Sequence, residues 1–190
     1  MQLDLTGRHA LVCGASQGIG RASAIELAEL GADITLLARS GDALQTLAGS
    51  LPHIHPNQQH HWRSVDMHDT AALKIIADDI VVARPVHILI NNTGGPPGGS
   101  AHSAPLAEFE KAFRQQLLAG QVLLQSVLPG MQTSGYGRLV NVISISVKEP
   151  IAGLGVSNTV RAAVAAWAKT LAGELAVDGI TVNNVLPGYT

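Results

Sequence analysis

Glycines near the amino terminus have the spacing of a phosphate-binding loop. They stand in the stretch GASQGIG, which follows an apolar, strand-like run and opens a helix-like one. Glycine lets the main chain turn sharply and approach a pyrophosphate without a Cβ clash, and the first turn of a helix offers free N–H groups. A tight strand-to-helix turn without a ligand would also use glycine. The expected phosphate-binding residues are Gly14, Ser16, Gln17, Gly18, Ile19 and Gly20.

The end of the next strand-like run bears on which dinucleotide would be bound. This run ends in LLARS, with Ala38 and Arg39 at its close. In dinucleotide-binding folds an acidic side chain near this point holds the ribose 2′-hydroxyl of NAD, whereas a nearby arginine accommodates the 2′-phosphate of NADP. Ala38 is uncharged and Arg39 can form a charge-assisted bond to phosphate. The pair favours NADP(H) over NAD(H), and an arginine that merely faces solvent is the alternative.

Histidines are concentrated between residues 53 and 68. His53, His55, His60 and His61 lie in a Pro/Asn/Gln-rich stretch, with His68 nearby. A metal site would need its ligands fixed on a scaffold and supported by further hydrogen bonds. We therefore interpret the stretch from His53 to His61 as a solvated surface loop and expect no metal, with a metal site as the alternative.

Strand-length apolar runs alternate with longer segments of helical period, and this order predicts the fold class. Such alternation implies parallel strands joined by right-handed crossovers, hence an α/β, doubly wound, Rossmann-like sheet with helices on both faces in three layers. The predicted strands are His9–Cys13, Ile34–Ala38, Trp62–Val65, Val86–Ile90, Arg138–Ile143 and Ile180–Val185. The predicted helices are Gly18–Leu30, Asp42–Leu51, Asp69–Ala83, Pro105–Leu128 and Ser157–Ala176.

Composition narrows the class of protein. A length of 190 residues favours one domain, and 46% hydrophobic residues provide a large core. The formal charge of −2 gives no electrostatic reason to expect a nucleic-acid partner. One cysteine, Cys13, excludes an internal disulfide framework, and no signal-like or membrane-length apolar run is present. We expect a cytoplasmic protein that binds neither nucleic acid nor membrane.

Four motifs, in order, resemble those of the short-chain dehydrogenase/reductase family. They are the G-x-x-x-G-x-G loop, the sequence NNTG from Asn91 to Gly94, the run GRLVNVIS that ends at Ser144, and the run GITVNNVLPG that ends at Gly188. The likeness extends from residue 5 to 190 and is greatest to members of the 3-oxoacyl-[acyl-carrier-protein] reductase type. It implies that Asp66 and Met67 contact adenine, that Asn91, Thr93 and Gly94 line the ribose, and that Pro187 and Gly188 lie near the nicotinamide.

The same resemblance implies a catalytic set from which this sequence departs. The family reduces a carbonyl with a serine, a tyrosine that donates the proton, a lysine four residues later and an asparagine on the preceding helix. Ser144 matches the serine. Ser157 stands where the tyrosine is expected, and Arg161 stands where the lysine is expected. Gln116 aligns with the asparagine, although a shift of one residue would select Gln115.

These replacements affect proton transfer more than binding. A serine hydroxyl does not titrate in the ordinary range, and loss of a general acid typically costs about 10²- to 10⁴-fold in rate. Arg161 stays protonated and can still bond ribose hydroxyls. Our hypothesis is that Lys148 supplies the proton instead, because the loop after Ser144 borders the substrate in this family. Glu149 and Tyr189 are the other candidates.

Two functions therefore compete. The first is an NADP(H)-dependent oxidoreductase that acts on a small-molecule carbonyl or alcohol, including a 3-oxoacyl thioester. The second is a cofactor-binding homologue with weak or no catalysis, acting as a sensor or partner subunit; a purely structural oligomer component would need neither the glycine loop nor Arg39. By resemblance, the helices Ala104–Leu128 and Ser157–Ala176 form homodimer or homotetramer contacts. We expect residues 1–190 to form one domain that lacks the family's C-terminal substrate segment and last strand.

Overall fold

A computed structural model describes residues 3–188 and contains a six-stranded, all-parallel sheet in the order β3-β2-β1-β4-β5-β6. This order confirms the predicted doubly wound, Rossmann-like fold. The change of direction between β1 and β4 is the point at which such sheets bind ligands, at the carboxyl ends of the strands. The strands are β1 (His9–Cys13), β2 (Asp33–Ala38), β3 (His60–Ser64), β4 (Ile88–Asn91), β5 (Gly137–Val142) and β6 (Ile180–Val185).

The helices divide between the two faces of the sheet. Those on one face pack through Ala24, Ala28, Leu44 and Leu47, and those on the other contribute a larger core that includes Leu73, Leu123 and Leu171. Every residue of β1, β2 and β4 is buried, as expected for strands covered on both sides. The helices are α1 (Gly18–Glu29), α2 (Gly41–Ser50), α3 (Thr70–Ala83), α4 (Leu106–Phe113), α5 (Ala119–Ser134) and α6 (Gly155–Leu175).

The predicted helix Pro105–Leu128 differs from the structure in two ways. It is interrupted by a π-helical turn, Arg114–Leu118, and it continues through Pro129 to Ser134. Proline normally ends or kinks a helix, yet Pro129 lies inside this one. Burial of Val127 and Met131 on either side of Pro129 holds the helix together until Gly135, whose φ of 59° ends it.

The histidine-rich stretch is more ordered than predicted, and the interpretation of residues 53–61 as a solvated loop is wrong for its last part. His60 and His61 belong to β3, because β3 pairs with β2 from Ile34 opposite His60. The rings of His55 and His60 bond to main-chain oxygens, Gly31 O at 3.1 Å and Pro52 O at 3.0 Å. Among residues 3–188, no three His, Cys, Asp or Glu side chains converge as metal ligands would.

Candidate active site

A cavity of about 330 Å³ opens at the carboxyl ends of β1 to β4. Its position at the change of strand order is where a doubly wound sheet binds its ligand. The lining combines the glycine loop after β1 with the residues that follow β2, β3 and β4. They are Gly14, Ser16, Gln17, Gly18, Ala38, Arg39, Ser40, Val65, Asp66, Met67, Asn92, Thr93, Gly94 and Gln115. We call this cavity the cofactor cleft.

The glycine loop has a shape that only glycine allows. A Cβ atom on Gly14, which has a φ of 59°, would lie 2.6 Å from the main-chain oxygen of Asn92, and one on Gly20 would lie 2.3 Å from Gly14 O. Gly18 also has a positive φ, 55°, and opens α1. The preceding residue, Gln17, does not cap the helix with its side chain. The N–H groups of the first turn are therefore left for a ligand, and the loop fits a pyrophosphate.

The second wall of the cleft carries the charged residues that follow β2 and β3. Ala38 is buried and Arg39 is exposed, with its main-chain oxygen held by Ser64 Oγ at 2.7 Å. A hydrogen bond from the main chain of His68, together with the His68 ring and the nearby Arg39 charge, holds the pKa of Asp66 below its usual value. Among residues 3–188, Arg39 forms no ion pair. Its guanidinium is thus available to a phosphate in the cleft.

Asn92, which follows β4, contacts the start of the glycine loop, and it was not among the site residues predicted from the sequence. Its Nδ2 atom lies 3.4 Å from both Cys13 O and Gly14 O, so it braces the start of the glycine loop. The neighbouring Asn91 is buried and donates to Asn141 Oδ1 at 3.0 Å. Thr93 and Gly94 line the cleft, whereas Asn91, expected beside them at the ribose, lines a separate small cavity. The doubled asparagine after a buried strand was the signal that could have identified Asn92.

Ser144 lies just beyond β5 and caps a short 3₁₀ turn, Ile145–Val147. Its Oγ accepts a hydrogen bond from Ser146 N at 3.1 Å, which fixes the hydroxyl at the strand end. The main chain of Ile145 donates to Pro187 O at 3.0 Å. This bond holds the Pro187–Gly188 turn, which follows β6, against the residue after Ser144.

Ser157 and Arg161 lie one turn apart near the start of α6. Ser157 is buried, and its Oγ accepts from Arg161 Nε at 3.3 Å. Arg161 Nη1 also donates to two main-chain oxygens at the end of β5, Val142 O at 3.1 Å and Ile143 O at 2.7 Å. Burial lowers the pKa of this guanidinium. The positive charge of Arg161 is therefore fixed at the strand end that precedes Ser144. The third nitrogen of the guanidinium, Nη2, has no hydrogen bond to residues 3–188.

Gln116 lies inside the π-helical turn and is buried, and its Nε2 atom has no hydrogen-bond partner among the described residues. It shares a cavity of about 10 Å³ with Asn91 and Arg161. Gln115, the alternative alignment, lines the cofactor cleft instead. π-Helical turns occur often at functional sites, and this one directs two successive glutamines to two different parts of the site.

The candidate substitute acids are less well placed. Lys148 and Glu149 are exposed, and neither side chain makes a hydrogen bond or ion pair within residues 3–188. Tyr136 precedes β5 at the amino edge of the sheet, opposite the cofactor cleft, and Tyr189 lies outside the described residues. Within the described part of the chain, no phenol stands at the site.

Two loops that border Ser144 and the cleft are joined by main-chain bonds. Gly99 forms a parallel bridge with Leu154, with Gly99 N donating to Gly153 O at 2.6 Å and Gly155 N donating to Gly99 O at 2.9 Å. The Gly/Pro loop from Gly94 to Gly99 is thus fastened to the segment that precedes α6. No residue in that loop carries a charge that would select a substrate class.

None of the helices within residues 3–188 has the length and continuous apolar character needed to cross a bilayer.

Comparison with known proteins identifies the family. The short chain dehydrogenase family matches residues 8–190. The chain is 33% identical to the ketoacyl reductase HetN from Nostoc sp. over 192 residues, which cover 97% of this chain and 64% of HetN. It is 26% identical to the 3-oxoacyl-[acyl-carrier-protein] reductase FabG from Aquifex aeolicus over 100% of this chain and 76% of that protein. The chain thus spans about two thirds of the length of HetN and three quarters of that of FabG.

Solved structures of similar proteins support the same family assignment. L-sorbose reductase from Gluconobacter frateurii, in complex with NADPH and L-sorbose, matches 99% of this chain and 72% of its own with a TM-score of 0.92 and 28% identity. A gluconate 5-dehydrogenase homologue from Beutenbergia cavernae with bound NADP matches 100% of this chain and 75% of its own, with a TM-score of 0.91 and 28% identity. On sequence and structure together, the chain belongs to the short-chain dehydrogenase family.

Proposed function

We propose that the protein is an NADP(H)-dependent oxidoreductase that interconverts a carbonyl and an alcohol on a small molecule. The observation that carries this proposal is the cofactor cleft, in which the uncapped first turn of α1 lies across from Arg39, an arginine without an ion pair among residues 3–188. Free main-chain N–H groups suit a pyrophosphate, and an unpaired guanidinium suits a 2′-phosphate. The family and its NADP-bound structural relatives support the same cofactor.

The residues that would hold the cofactor are those of the cleft and its border. The glycine loop would bind the pyrophosphate, Arg39 the 2′-phosphate, Asp66 and Met67 the adenine, Asn91, Thr93 and Gly94 the ribose, and Pro187 and Gly188 the nicotinamide end. When bound, the cofactor supplies or accepts the hydride, and the protein supplies orientation and a proton.

The chain's own residues can orient a substrate better than they can protonate it. In our proposal the Ser144 hydroxyl, fixed by Ser146 N, donates to the substrate oxygen. Arg161 adds a positive charge that does not titrate near neutral pH and is held at the end of β5 by its bonds to Val142 O and Ile143 O. Such a charge stabilises a developing oxyanion without delivering a proton. Lys148 remains our candidate for the proton donor, although its exposure places it in bulk solvent.

One observation favours the second function, a cofactor-binding homologue with weak catalysis. The Nε and Nη1 atoms of Arg161 are committed to Ser157 and to two main-chain oxygens. An arginine with these bonds stabilises the end of β5. Within residues 3–188, the site also has no phenol that could act as an acid. This arrangement supports retained binding with reduced chemistry.

One experiment separates the two functions. NADPH binding would be measured by its fluorescence, and NADPH consumption would be followed with ketoses, simple ketones and 3-oxoacyl thioesters, the substrate types suggested by the relatives. Binding with turnover supports the oxidoreductase, and binding without turnover supports the sensor or partner subunit. Absence of binding to either NADPH or NADH would overturn both.

We also propose that residues 1–190 form one nucleotide-binding domain and that the protein assembles as a homodimer or homotetramer. Helix α6 presents small exposed residues, Ala162 and Ala166, beside the half-buried Trp167, whose Nε1 donates to Gln121 Oε1 of α5 at 2.9 Å. A surface of this kind suits close helix packing between subunits. Light scattering of the purified protein tests the assembly, and a monomer would contradict it.

A further inference from the structure

Three neighbouring strands begin with cationic or titratable side chains at the amino edge of the sheet, opposite the cofactor cleft. Arg8 precedes β1, His87 precedes β4, and Arg138 is the second residue of β5. These strands are adjacent in the order β1-β4-β5. Main-chain bonds align them, with His87 N donating to His9 O at 2.8 Å and Arg138 N donating to His87 O at 2.9 Å.

Tyr136 lies between the two arginines. The guanidinium carbon of Arg8 is 3.9 Å from the centroid of the Tyr136 ring, and that of Arg138 is 4.1 Å from it. At these distances the two groups occupy opposite faces, because on one face the two cations would collide. Each face of an aromatic ring attracts a cation, so the ring holds two permanent positive charges close to one another.

Among residues 3–188, no carboxylate forms an ion pair with Arg8 or Arg138. The ion pair in this region joins Arg84 to Asp33 and leaves out Arg8 and Arg138. Arg138 Nη1 instead donates to the main-chain oxygens of Gly137 and Gly179, at 2.7 and 3.0 Å. Asp178, next to Gly179 in the sequence, accepts from Gln132 at 2.8 Å. The two arginines therefore have no direct ion-pair partner among the described residues.

His87 adds a further donor. Its Nδ1 accepts a hydrogen bond from the main-chain N–H of His9 at 3.1 Å, which places the proton of the neutral ring on Nε2. The ring lies edge-on to Tyr136, 6.4 Å between centroids. Burial and then the charges of Arg8 and Arg84 lower the pKa of His87. The two guanidinium groups and the free Nε2–H of His87 thus offer only donors.

We propose that Arg8, His87 and Arg138, arranged around Tyr136, form a binding site for a phosphoryl group, either free phosphate or a phosphate ester. An oxyanion in the plane of the Tyr136 ring, at its rim, can direct one oxygen toward each guanidinium and a third toward the phenol or His87. The oxygens of a tetrahedral phosphoryl group can accept hydrogen bonds from donors on three sides, whereas the two oxygens of a planar carboxylate suit a single guanidinium. The site is independent of the cofactor cleft and of the proposed function.

The test uses the whole chain with ¹³C-labelled histidine and follows the ring of His87, assigned by the loss of its signal in His87→Asn. Inorganic phosphate is titrated at constant ionic strength. We expect a saturable shift of the His87 signal and an upward movement of its pKa, because a bound anion favours the imidazolium. Phosphate in the cofactor cleft cannot produce this signal, because the cleft lies at the other edge of the sheet.

Two variants and a control make the test specific. Arg8→Gln and Arg138→Gln should each weaken phosphate binding about tenfold, while Arg63→Gln, which removes an exposed arginine of β3, should leave it unchanged. Arg8→Lys retains the charge if the glutamine variants fold poorly, and it should bind more weakly than the native protein. Glucose 6-phosphate gives the same shift if the site accepts esters, and its failure limits the site to free phosphate. A wild-type His87 signal that does not respond, or that responds equally to acetate, overturns the proposal.

Discussion

Arg161 Nη1 donates to the main-chain oxygen of Ile143 at 2.7 Å, one residue before Ser144. The same guanidinium reaches Val142 O and Ser157 Oγ. A planar guanidinium can make these bonds together, and a single ammonium cannot reproduce the fork. The position of the site's fixed cation and the geometry of the strand end that carries Ser144 are therefore coupled.

Arg161→Gln should lower the free energy of unfolding by about 1–2 kcal/mol, because two main-chain oxygens lose a charged donor at a site that water can partly reach. Urea unfolding measures this loss. Arg63→Gln is the matched control, since Arg63 is exposed and bonds only the carbonyl of the preceding residue, Trp62. Equal effects of the two substitutions would show that the Arg161 bonds add no stability of their own.

A tyrosine at position 157 and a lysine at position 161, the residues that the family resemblance implies there, should raise catalytic activity. The double variant Ser157→Tyr/Arg161→Lys should raise kcat/KM by about 10²-fold on any substrate that shows turnover, because a phenol beside an ammonium is a competent general acid. Ser157→Phe/Arg161→Lys has nearly the same bulk at this buried position but no hydroxyl, so it separates acid catalysis from packing. Equal rates for the two double variants would mean that the proton comes from elsewhere, and Lys148→Ala would then identify or exclude Lys148.

Arg39→Ala should weaken NADPH binding about 10- to 100-fold and leave NADH binding nearly unchanged, because only NADPH carries the 2′-phosphate that a guanidinium holds. Fluorescence titration with both coenzymes measures the ratio. Arg21→Ala, at an exposed position on α1, controls for a general loss of positive charge. Parallel losses for the two coenzymes would contradict the assignment of Arg39 to the 2′-phosphate.

Gly20→Ala should abolish coenzyme binding, because its Cβ would lie 2.3 Å from the main-chain oxygen of Gly14 and the loop would have to move. Gly49→Ala is a helical control with nothing within 4 Å of the added Cβ, and it should stabilise α2 by about 0.5–1 kcal/mol. Coenzyme titration and thermal unfolding measure the two effects. Normal binding by Gly20→Ala would show that the loop does not hold the pyrophosphate as proposed.

Stability should fall as the pH drops from about 6.5 to about 4. Burial lowers the pKa of His9 to about 4, and it also lowers the pKa values of His60 and His87. In this window the unfolded chain binds protons that the folded chain excludes, so acid favours unfolding, by roughly 3 kcal/mol for His9 over the whole range. Urea titrations at several pH values measure the slope.

The control for this slope is a pair of histidine variants. His9→Gln should flatten the pH dependence, because it removes the buried ring that bonds Thr35 and Pro85. His53→Gln, at an exposed position, should retain it. An unchanged slope in His9→Gln would remove His9 from the explanation.

The doubly wound fold could be predicted from the sequence because strand-length apolar runs and glycine-containing turns are local features. β6 was predicted with its observed bounds, whereas β4 begins at Ile88, two residues later than predicted, because Val86 is buried without joining the strand pairing. Continuation of α5 beyond Pro129 depends on core packing contributed by distant elements, and no local pattern shows that. Tertiary packing overrides the helix-ending tendency of proline there.

Some features of the candidate site could be predicted from the sequence, and others could not. The glycine loop could be predicted from the spacing of Gly14, Gly18 and Gly20, because a backbone requirement is visible in the sequence. Gly14 and Gly18 line the cleft, whereas Gly20 packs against Gly14. The bracing role of Asn92 and the commitment of Arg161 to main-chain oxygens could not be predicted, because both depend on residues more than fifteen positions away. The separation of Gln115 and Gln116 into different surroundings required the π-helical turn, which has no sequence signature that we could use.

The bridge between Gly99 and Leu154 has a mechanical consequence for how a substrate would enter. Because the two segments share main-chain bonds, neither can swing open alone, and any gating must carry both or break the bridge. Substitution of Gly155 beside the bridge would be poorly tolerated, because a Cβ atom there would lie 2.2 Å from Ala101 N. Attempts to redirect selectivity by exchanging one loop would therefore disturb the other, and the pair should be transplanted as a unit.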